Sequence, residues 1–264
     1  MRDSLTGLLA AMMAAVTLFA FAGYQVTGEE AASKLLGRLA ASLVELDRWV
    51  PSHRDDIQLV AKDRPQEPVL IDDLPVDVLI PSTAALNAGN DELADLLREA
   101  MGRRLYQDGR GALQDDEGGT HLPVTEPVRW TVWLLGSGAH GFWRIATIAT
   151  GLATLGLLAS VVISRRSPMM PLLAGGVGAV AGSFFVWLVA GSSGSLFDGA
   201  VDREIMLIVR DGAWLGLRNS LAVAVIALAA LYLWRTLVEP RREHADDRYR
   251  PDIEQSDIYP SDLN

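Results

Sequence analysis

The chain contains four apolar segments that are each long enough to cross a membrane. A helix needs roughly 20 mostly apolar residues to span the hydrocarbon core of a bilayer. The segments cover residues 5–24, 142–164, 169–190 and 214–234. This pattern predicts four transmembrane helices.

The polar stretch between the first two apolar segments carries two helical patterns. Thr27 and Glu30 have the spacing of a capping box, and leucines follow at helical spacing until Pro51, where we expect the helix to end. Asn90 is the expected N-cap of a second helix, which runs to Arg104. One face of this second helix carries four apolar residues: Leu93, Leu96, Leu97 and Met101.

Short runs of the same stretch have the composition of β-strands, at residues 57–60, 69–71, 76–80 and 128–135. Turn-forming residues lie between the second and third runs, so we expect these two to form a hairpin or bend. The predicted fold is therefore a membrane all-α bundle of four transmembrane helices with an inserted small extracytoplasmic α+β domain.

Acidic charge is concentrated in this inserted domain. Residues 25–138 contain 20 acidic and 11 basic residues, a balance of −9 in a chain whose net charge is −10. Only two of the 23 basic residues are lysines, which fits either a high-GC genome or, together with the acid excess, a halophile. The stretch 239–264 is also acidic and has almost no aliphatic run, so we expect a disordered tail.

Arginines near the ends of the apolar segments predict the orientation in the membrane. Basic residues accumulate in cytoplasmic loops and flanks. They lie before the first segment, between the second and third, and after the fourth: Arg2, Arg165, Arg166, Arg235, Arg241 and Arg242. We therefore expect a plasma-membrane protein with both termini in the cytoplasm and residues 25–138 outside.

The expected organisation has four parts. Residues 1–24 form an N-terminal transmembrane anchor, 25–138 the acidic extracytoplasmic domain, 139–238 a three-helix transmembrane region, and 239–264 the cytoplasmic tail. Ala20-Phe21-Ala22 resembles a signal-peptidase site, but the length of the first apolar segment favours an anchor that is not cleaved.

An outer loop, residues 191–213, separates the last two predicted spans. It contains Ile205–Val209, five bulky apolar residues that are too few to cross a bilayer. We expect this run to add a strand to the sheet of the outer domain or to lie along the membrane interface, and so to act as a latch between the spans and the domain. The residues assigned to this latch and its charge cluster are Asp202, Glu204, Met206, Ile208, Arg210, Asp211 and Arg218.

The third apolar segment contains a face of glycines, formed by Gly175, Gly178 and Gly182. Glycines at this spacing let two helix backbones approach closely in a membrane. We therefore predict a helix-packing interface here, and the partner is either the second span or another subunit.

Motifs for catalysis or cofactor binding are weak. The chain has no cysteine, its four histidines have no metal-ligand spacing, and its acidic pairs lack the pattern of a calcium loop. Gly136–Gly141 matches G-x-G-x-x-G, but an apolar span follows it and no acidic residue stands where the ribose would bind. We expect no cofactor, no metal and no catalytic site.

The sequence therefore favours a binding, sensing or scaffolding subunit of a membrane or envelope assembly. Its expected partners are the lipid bilayer and a membrane protein or a second copy of the chain, and not nucleic acid. One alternative is an oligomeric channel or transporter subunit with Thr147, Thr150 and Thr154 along a water-filled path. Another is a membrane-bound hydrolase or metal-dependent enzyme in which His53, His121 or an aspartate pair converge.

Overall fold

The structure is a computed structural model that describes residues 2–113, 125–164, 167–193 and 199–237. The predicted tail, the Arg165–Arg166 loop, His121 and His244 lie outside these residues. The α-helices and strands of the described residues are, in order, α1 (Arg2–Val26), α2 (Glu29–Leu43), α3 (Leu46–Asp63), β1 (Val69–Ile71), β2 (Val78–Ile80), α4 (Ser82–Asn87), α5 (Asn90–Asp108), α6 (Glu126–Leu135), α7 (Ser137–Ile163), α8 (Met169–Ser193) and α9 (Ala200–Leu237), and a short 3-10 helix, Gly109–Ala112, follows α5.

The helices α1, α7, α8 and α9 are long and apolar enough to cross a membrane. Helix α1 contacts all three of the others, and α8 and α9 pack against each other as a hairpin. Most of their apolar side chains face outward, for example Ile148 and Leu152 on α7 and Phe185 on α8. An outward apolar face on every long helix is what a lipid environment requires, which supports the prediction of four spans.

Aromatic residues hold α1 against α7 near one end of the bundle. The ring of Tyr24 stacks on His140 at 4.7 Å between ring centres, and Phe19 meets the ring of Trp143 edge to face at 5.6 Å. Gly23 leaves room for this contact, because a Cβ atom there would lie 2.6 Å from the Trp143 ring. The two helices are therefore in close contact near the C-terminal end of α1 and the N-terminal end of α7.

The described residues between 29 and 135, which we call the head region, fold around a common core. Helices α2, α3, α5 and α6 pack with the β1–β2 hairpin around fully buried side chains such as Leu36, Leu39, Leu97 and Val128. The hairpin is antiparallel and pairs Val69 with Ile80. The predicted hairpin and the helix that starts at Asn90 are confirmed. The N-cap of this helix is Gly89, however, and the Glu92 carboxylate accepts a hydrogen bond from the Gly89 backbone N–H at 3.1 Å.

Two predicted strands of the head region are helical. Residues 57–60 lie inside α3, where Val50, Ile57 and Ala61 are buried at helical spacing. Residues 128–135 lie inside α6, where Val128, Val132 and Leu135 form the buried stripe. Packing of these stripes outweighs the β-propensity of the individual residues, which depends strongly on context.

The first soluble helix also differs from its prediction. The chain breaks at Glu45, whose φ of 47° is left-handed, and Pro51 lies inside α3. At the other end, Gly28 is the N-cap of α2, while the Thr27 hydroxyl donates to the Gly23 carbonyl at 2.8 Å. Thr27 therefore closes the end of α1 and does not cap α2.

The segment predicted as an outer loop is mostly helical. Helix α8 continues to Ser193 and α9 begins at Ala200, so residues 200–213 are neither a strand nor a loop. The 38 residues of α9 span about 57 Å at 1.5 Å per residue, which is far more than a bilayer crossing needs. The surplus lies at its N-terminal end, where α9 packs against α2 and α6 of the head region.

Candidate functional site

Arg38 joins the head region to α9. Its guanidinium group lies 2.8 Å from a carboxylate oxygen of Glu204 and 3.1 Å from one of Asp211. These carboxylates are seven residues apart, so they lie on the same face of α9 two turns apart. One cation on α2 therefore binds two turns of α9 at once, and we call these three residues the Arg38 cluster.

The Arg38 cluster sits beside apolar contacts between the same elements. Ile208 is buried in the core of the head region, and Val201 and Ile205 pack against that core. The Glu204 side chain is only 16% exposed, and the Arg38 guanidinium group lies beside it. Loss of Arg38 would leave this largely buried carboxylate without its partner, which makes the cluster important for the position of α9.

A groove of about 1340 Å³ runs along α2 beside the Arg38 cluster. We call it the α2 groove. Helix α5 forms one wall and α9 the other, and apolar residues at its membrane-proximal end include Val26, Leu35 and Leu215. The groove thus starts where α1, α2 and α9 meet and extends to the turn between α2 and α3.

The α2 groove carries more negative than positive charge. Its acidic lining residues are Glu29, Glu30, Glu45, Asp47, Asp95, Glu99, Glu204 and Asp211. Its basic lining residues are Lys34, Arg38, Arg48, Arg98 and Arg103. Each of the five cations already forms an ion pair with a carboxylate of this set. Among the described lining residues, the three surplus negative charges make the groove suited to a cationic ligand.

Two ionisable groups on the groove rim shift each other's pKa. The Lys34 ammonium group donates to Glu30 at 2.9 Å, and this hydrogen bond, with the attraction between the charges, lowers the pKa of Glu30. The same hydrogen bond raises the pKa of Lys34. Both groups therefore stay charged at neutral pH.

The remaining residues assigned to the latch have different surroundings. Asp202 lies in the first turn of α9 and Met206 is half-buried. The side chain of Arg210 passes beside Gly191 of α8, and Arg218 is exposed. The sequence missed Arg38, because Glu204 and Asp211 share a face only if residues 200–213 are helical.

The glycines of the predicted face on α8 have different surroundings in the structure. Gly175 packs against α1, since a Cβ atom there would lie 2.6 Å from the Ala11 carbonyl oxygen. Gly176, which the sequence did not single out, faces Ala224 of α9. Gly178 and Gly182 are exposed, and within the described chain nothing outside their own helix lies within 4 Å of their Cβ positions.

One of the three threonines of α7 contacts α1. Thr147 and Thr150 each donate a hydrogen bond to the carbonyl four residues earlier, and Thr154 does the same. The Thr154 hydroxyl also lies 2.9 Å from that of Thr17, and Thr154 is buried. In this chain, Thr154 therefore belongs to a helix contact.

Two histidines of the described chain are engaged in local contacts. The His53 ring stacks on Trp49 at 4.2 Å and lies 2.9 Å from its backbone oxygen. His140 stacks on Tyr24. In the described part of the chain, no three histidine or acidic side chains are grouped so that they could hold a metal ion.

Comparison with protein-family models, with curated proteins and with solved structures finds no match to this chain in any of the three. The functional argument therefore rests on the geometry of the α2 groove and its charges.

Proposed function

We propose that this chain is a membrane-anchored docking subunit that binds another membrane protein in the α2 groove. The observation that carries the proposal is the groove itself, which is large, lies between two structural units and has surplus negative charge. A cavity of about 1340 Å³ exceeds the roughly 300–1,000 Å³ of small-molecule sites, which favours a polypeptide ligand.

The way in which the head region is attached to the long helices supports a docking role. It is tied to the long helices at both ends of its sequence, through α1 and α7, and a third time through the Arg38 cluster. Three attachments hold the groove at a fixed height and angle relative to the spans. Such pre-organisation reduces the entropic cost of binding a partner that is itself fixed in the membrane.

The lining of the groove defines the chemistry of its partner. Apolar side chains at the membrane-proximal end, such as Leu35 and Leu215, favour the apolar face of an amphipathic helix. Surplus carboxylates along the rim favour arginine or lysine on its other face. We propose as ligand a basic, amphipathic segment that directly follows a transmembrane span of the partner.

The proposal places the groove outside the cytoplasm, as the arginine distribution predicts. Because the chain has no cysteine, single cysteines report their location without background. Asp56→Cys in the head region should react with a membrane-impermeant maleimide in intact cells. Ser256→Cys in the tail should react only after permeabilisation, and the opposite pattern would place the groove in the cytoplasm.

The two lysines of the chain provide a direct binding test. Lys34 lines the α2 groove, whereas Lys62 lies on α3 outside it. An amine-reactive crosslinker with a photoreactive second arm, applied to native membranes, should link Lys34 to a basic segment beside a span of a neighbouring protein. Lys62 should not give this product.

A pair of charge reversals completes this experiment. Glu29 and Asp91 are both exposed carboxylates in the first turn of a helix, but only Glu29 lines the groove. Glu29→Arg should reduce the Lys34 crosslink strongly, while Asp91→Arg leaves it unchanged. Equal yields in both variants, or crosslinks only to acidic or soluble segments, contradict the proposal. Crosslinks to a second copy of the chain identify a homo-oligomer, in which Gly178 and Gly182 are then available for packing between subunits.

A further inference from the structure

Helix α6 is apolar on two opposite faces. Val128, Val132 and Leu135 form its buried face in the core of the head region. Trp130, Trp133 and Leu134 lie on the other face and are 53%, 53% and 47% exposed. A surface helix normally turns polar residues outward, and a helix that is apolar all round is normally buried. Beyond the first turn, which carries Glu126, the outward face of α6 is therefore unsuited to water.

The position of α6 in the chain puts this face close to the bilayer. Only Gly136 separates α6 from α7, a candidate span, and its extended backbone (φ −66°, ψ 166°) ends the helix there. The first turns of α7 contain His140, which stacks on Tyr24 at the end of α1. Aromatic residues of this kind collect at the boundary between lipid and water. Trp133 is thus four residues from the start of a span and near its aromatic belt.

The side chains on the outward face have the chemistry of the headgroup layer. Trp130 and Trp133 meet edge to face at 5.5 Å between ring centres. The guanidinium carbon of Arg110 lies 5.0 Å from the Trp130 ring centre, and Arg110 Nε donates to the backbone oxygen of Arg129. Tryptophan favours the membrane interface because its ring is apolar and its N–H is polar, and arginine can pair with lipid phosphate.

We infer that the outward face of α6 is a lipid-binding surface that inserts Trp130, Trp133 and Leu134 into the headgroup layer of the same bilayer that α7 crosses. This contact is separate from the α2 groove. It fastens the head region to the membrane surface and so limits how far the region can tilt about the ends of α1 and α7.

Site-directed spin labelling of the full chain tests this inference. Trp133→Cys and the matched control Leu70→Cys each carry a nitroxide in phosphatidylcholine–phosphatidylglycerol vesicles. Leu70 is also an exposed apolar residue, but it lies on the β1–β2 hairpin. The ratio of collision with oxygen, which enters the bilayer, to collision with a water-soluble nickel chelate should be several-fold higher at residue 133 than at residue 70.

Two results would overturn the inference. Equal ratios at the two sites mean that the α6 face is in water. Protection of residue 133 from both reagents means that protein, for example a second copy of the chain, covers the face. Since both side chains lie outside the core, thermal unfolding of each labelled variant should match that of the wild type, and a label at Leu134→Cys should repeat the result at residue 133.

Discussion

Gly37 of α2 lies directly against Gly102 of α5. A Cβ atom on Gly102 would lie 3.0 Å from the Gly37 Cα atom and would overlap the backbone oxygen of Ser33. A Cβ atom on Gly37 would overlap the backbone oxygen of Arg98. The two helix backbones therefore touch at this crossing, and the wall of the α2 groove formed by α5 is fixed by it.

Gly102→Ala should destabilise the head region by about 3 kcal/mol or more, because the obstructing atoms belong to the backbone and cannot rotate away. The measurement is the midpoint of thermal unfolding in detergent. Gly111→Ala is the control: within the described residues, nothing beyond its neighbours in the chain lies within 4 Å of that Cβ position, so the change should stay within about 0.5 kcal/mol. Equal midpoints for Gly102→Ala and the wild type would show that α2 and α5 are further apart.

Arg38→Gln should loosen α9 from the head region. It leaves Glu204, which is largely buried, without its cation, and we expect a loss of about 1–3 kcal/mol. Lys34→Gln is the control, because Lys34 and Glu30 are 72% and 87% exposed and water screens their charges, so this change should have little effect on stability. The free energy of unfolding and the rate of proteolysis near residue 200 report the difference.

A second substitution tests whether the Arg38 effect comes from the unpaired carboxylate. Adding Glu204→Gln to Arg38→Gln removes the uncompensated charge, so the double variant should lose less stability than the sum of the two single variants. Strict additivity would mean that Arg38 and Glu204 do not interact.

Thr154→Val should weaken the contact between α1 and α7. It removes the hydroxyl that lies 2.9 Å from Thr17 and keeps the side-chain shape. Hydrogen bonds between membrane helices contribute about 0.6 kcal/mol on average, and we expect a loss of this size. Thr147→Val removes a bond to the Trp143 carbonyl on the same helix and should cost less. A channel lined by these threonines would instead change its conductance in both variants.

Tyr106 should make the head region sensitive to alkaline pH. Burial, and secondly the charge of Glu29, raise the pKa of the Tyr106 phenol above its ordinary value of 10.0. As the pH rises, the unfolded chain therefore loses the Tyr106 proton before the folded chain does. The contribution of this difference to the free energy of unfolding is complete below about pH 10 and is lost as the pH rises through the pKa of Tyr106 in the folded chain. Tyr106→Phe should flatten the fall of the unfolding free energy above pH 10. An identical fall in both proteins would assign it to other groups.

The sequence predicts the long apolar helices well, because a run of about 20 apolar residues has few other stable environments. It predicts short segments poorly. Ile57–Val60 and Val128–Leu135 have strand composition, yet each contributes a buried stripe at helical spacing to a neighbouring core. The distinction depends on contacts with α4 and α5 or with α2 and α9, which a local pattern does not contain.

The Arg38 cluster could not be predicted from the local sequence pattern either. The apolar run Ile205–Val209 indicates a strand, in which the two carboxylates would have no common cation. In a helix, Glu204, Ile208 and Asp211 share one face, and that face meets α2. The partner Arg38 lies more than 160 residues earlier, so only the folded chain brings the three together. The α2 groove is formed by α2, α5 and α9 together, so the sequence alone could not predict it.

Helix α9 has a mechanical consequence. It runs without interruption from Ala200, beside the head region, to Leu237 at the far end of the bundle. A force on the α2 groove therefore acts on one end of a continuous helix. The other end of this helix can move only against α8 and the surrounding lipid. Under the docking function proposed above, strain applied at the α2 groove would pass along this one helix to the opposite end of the bundle.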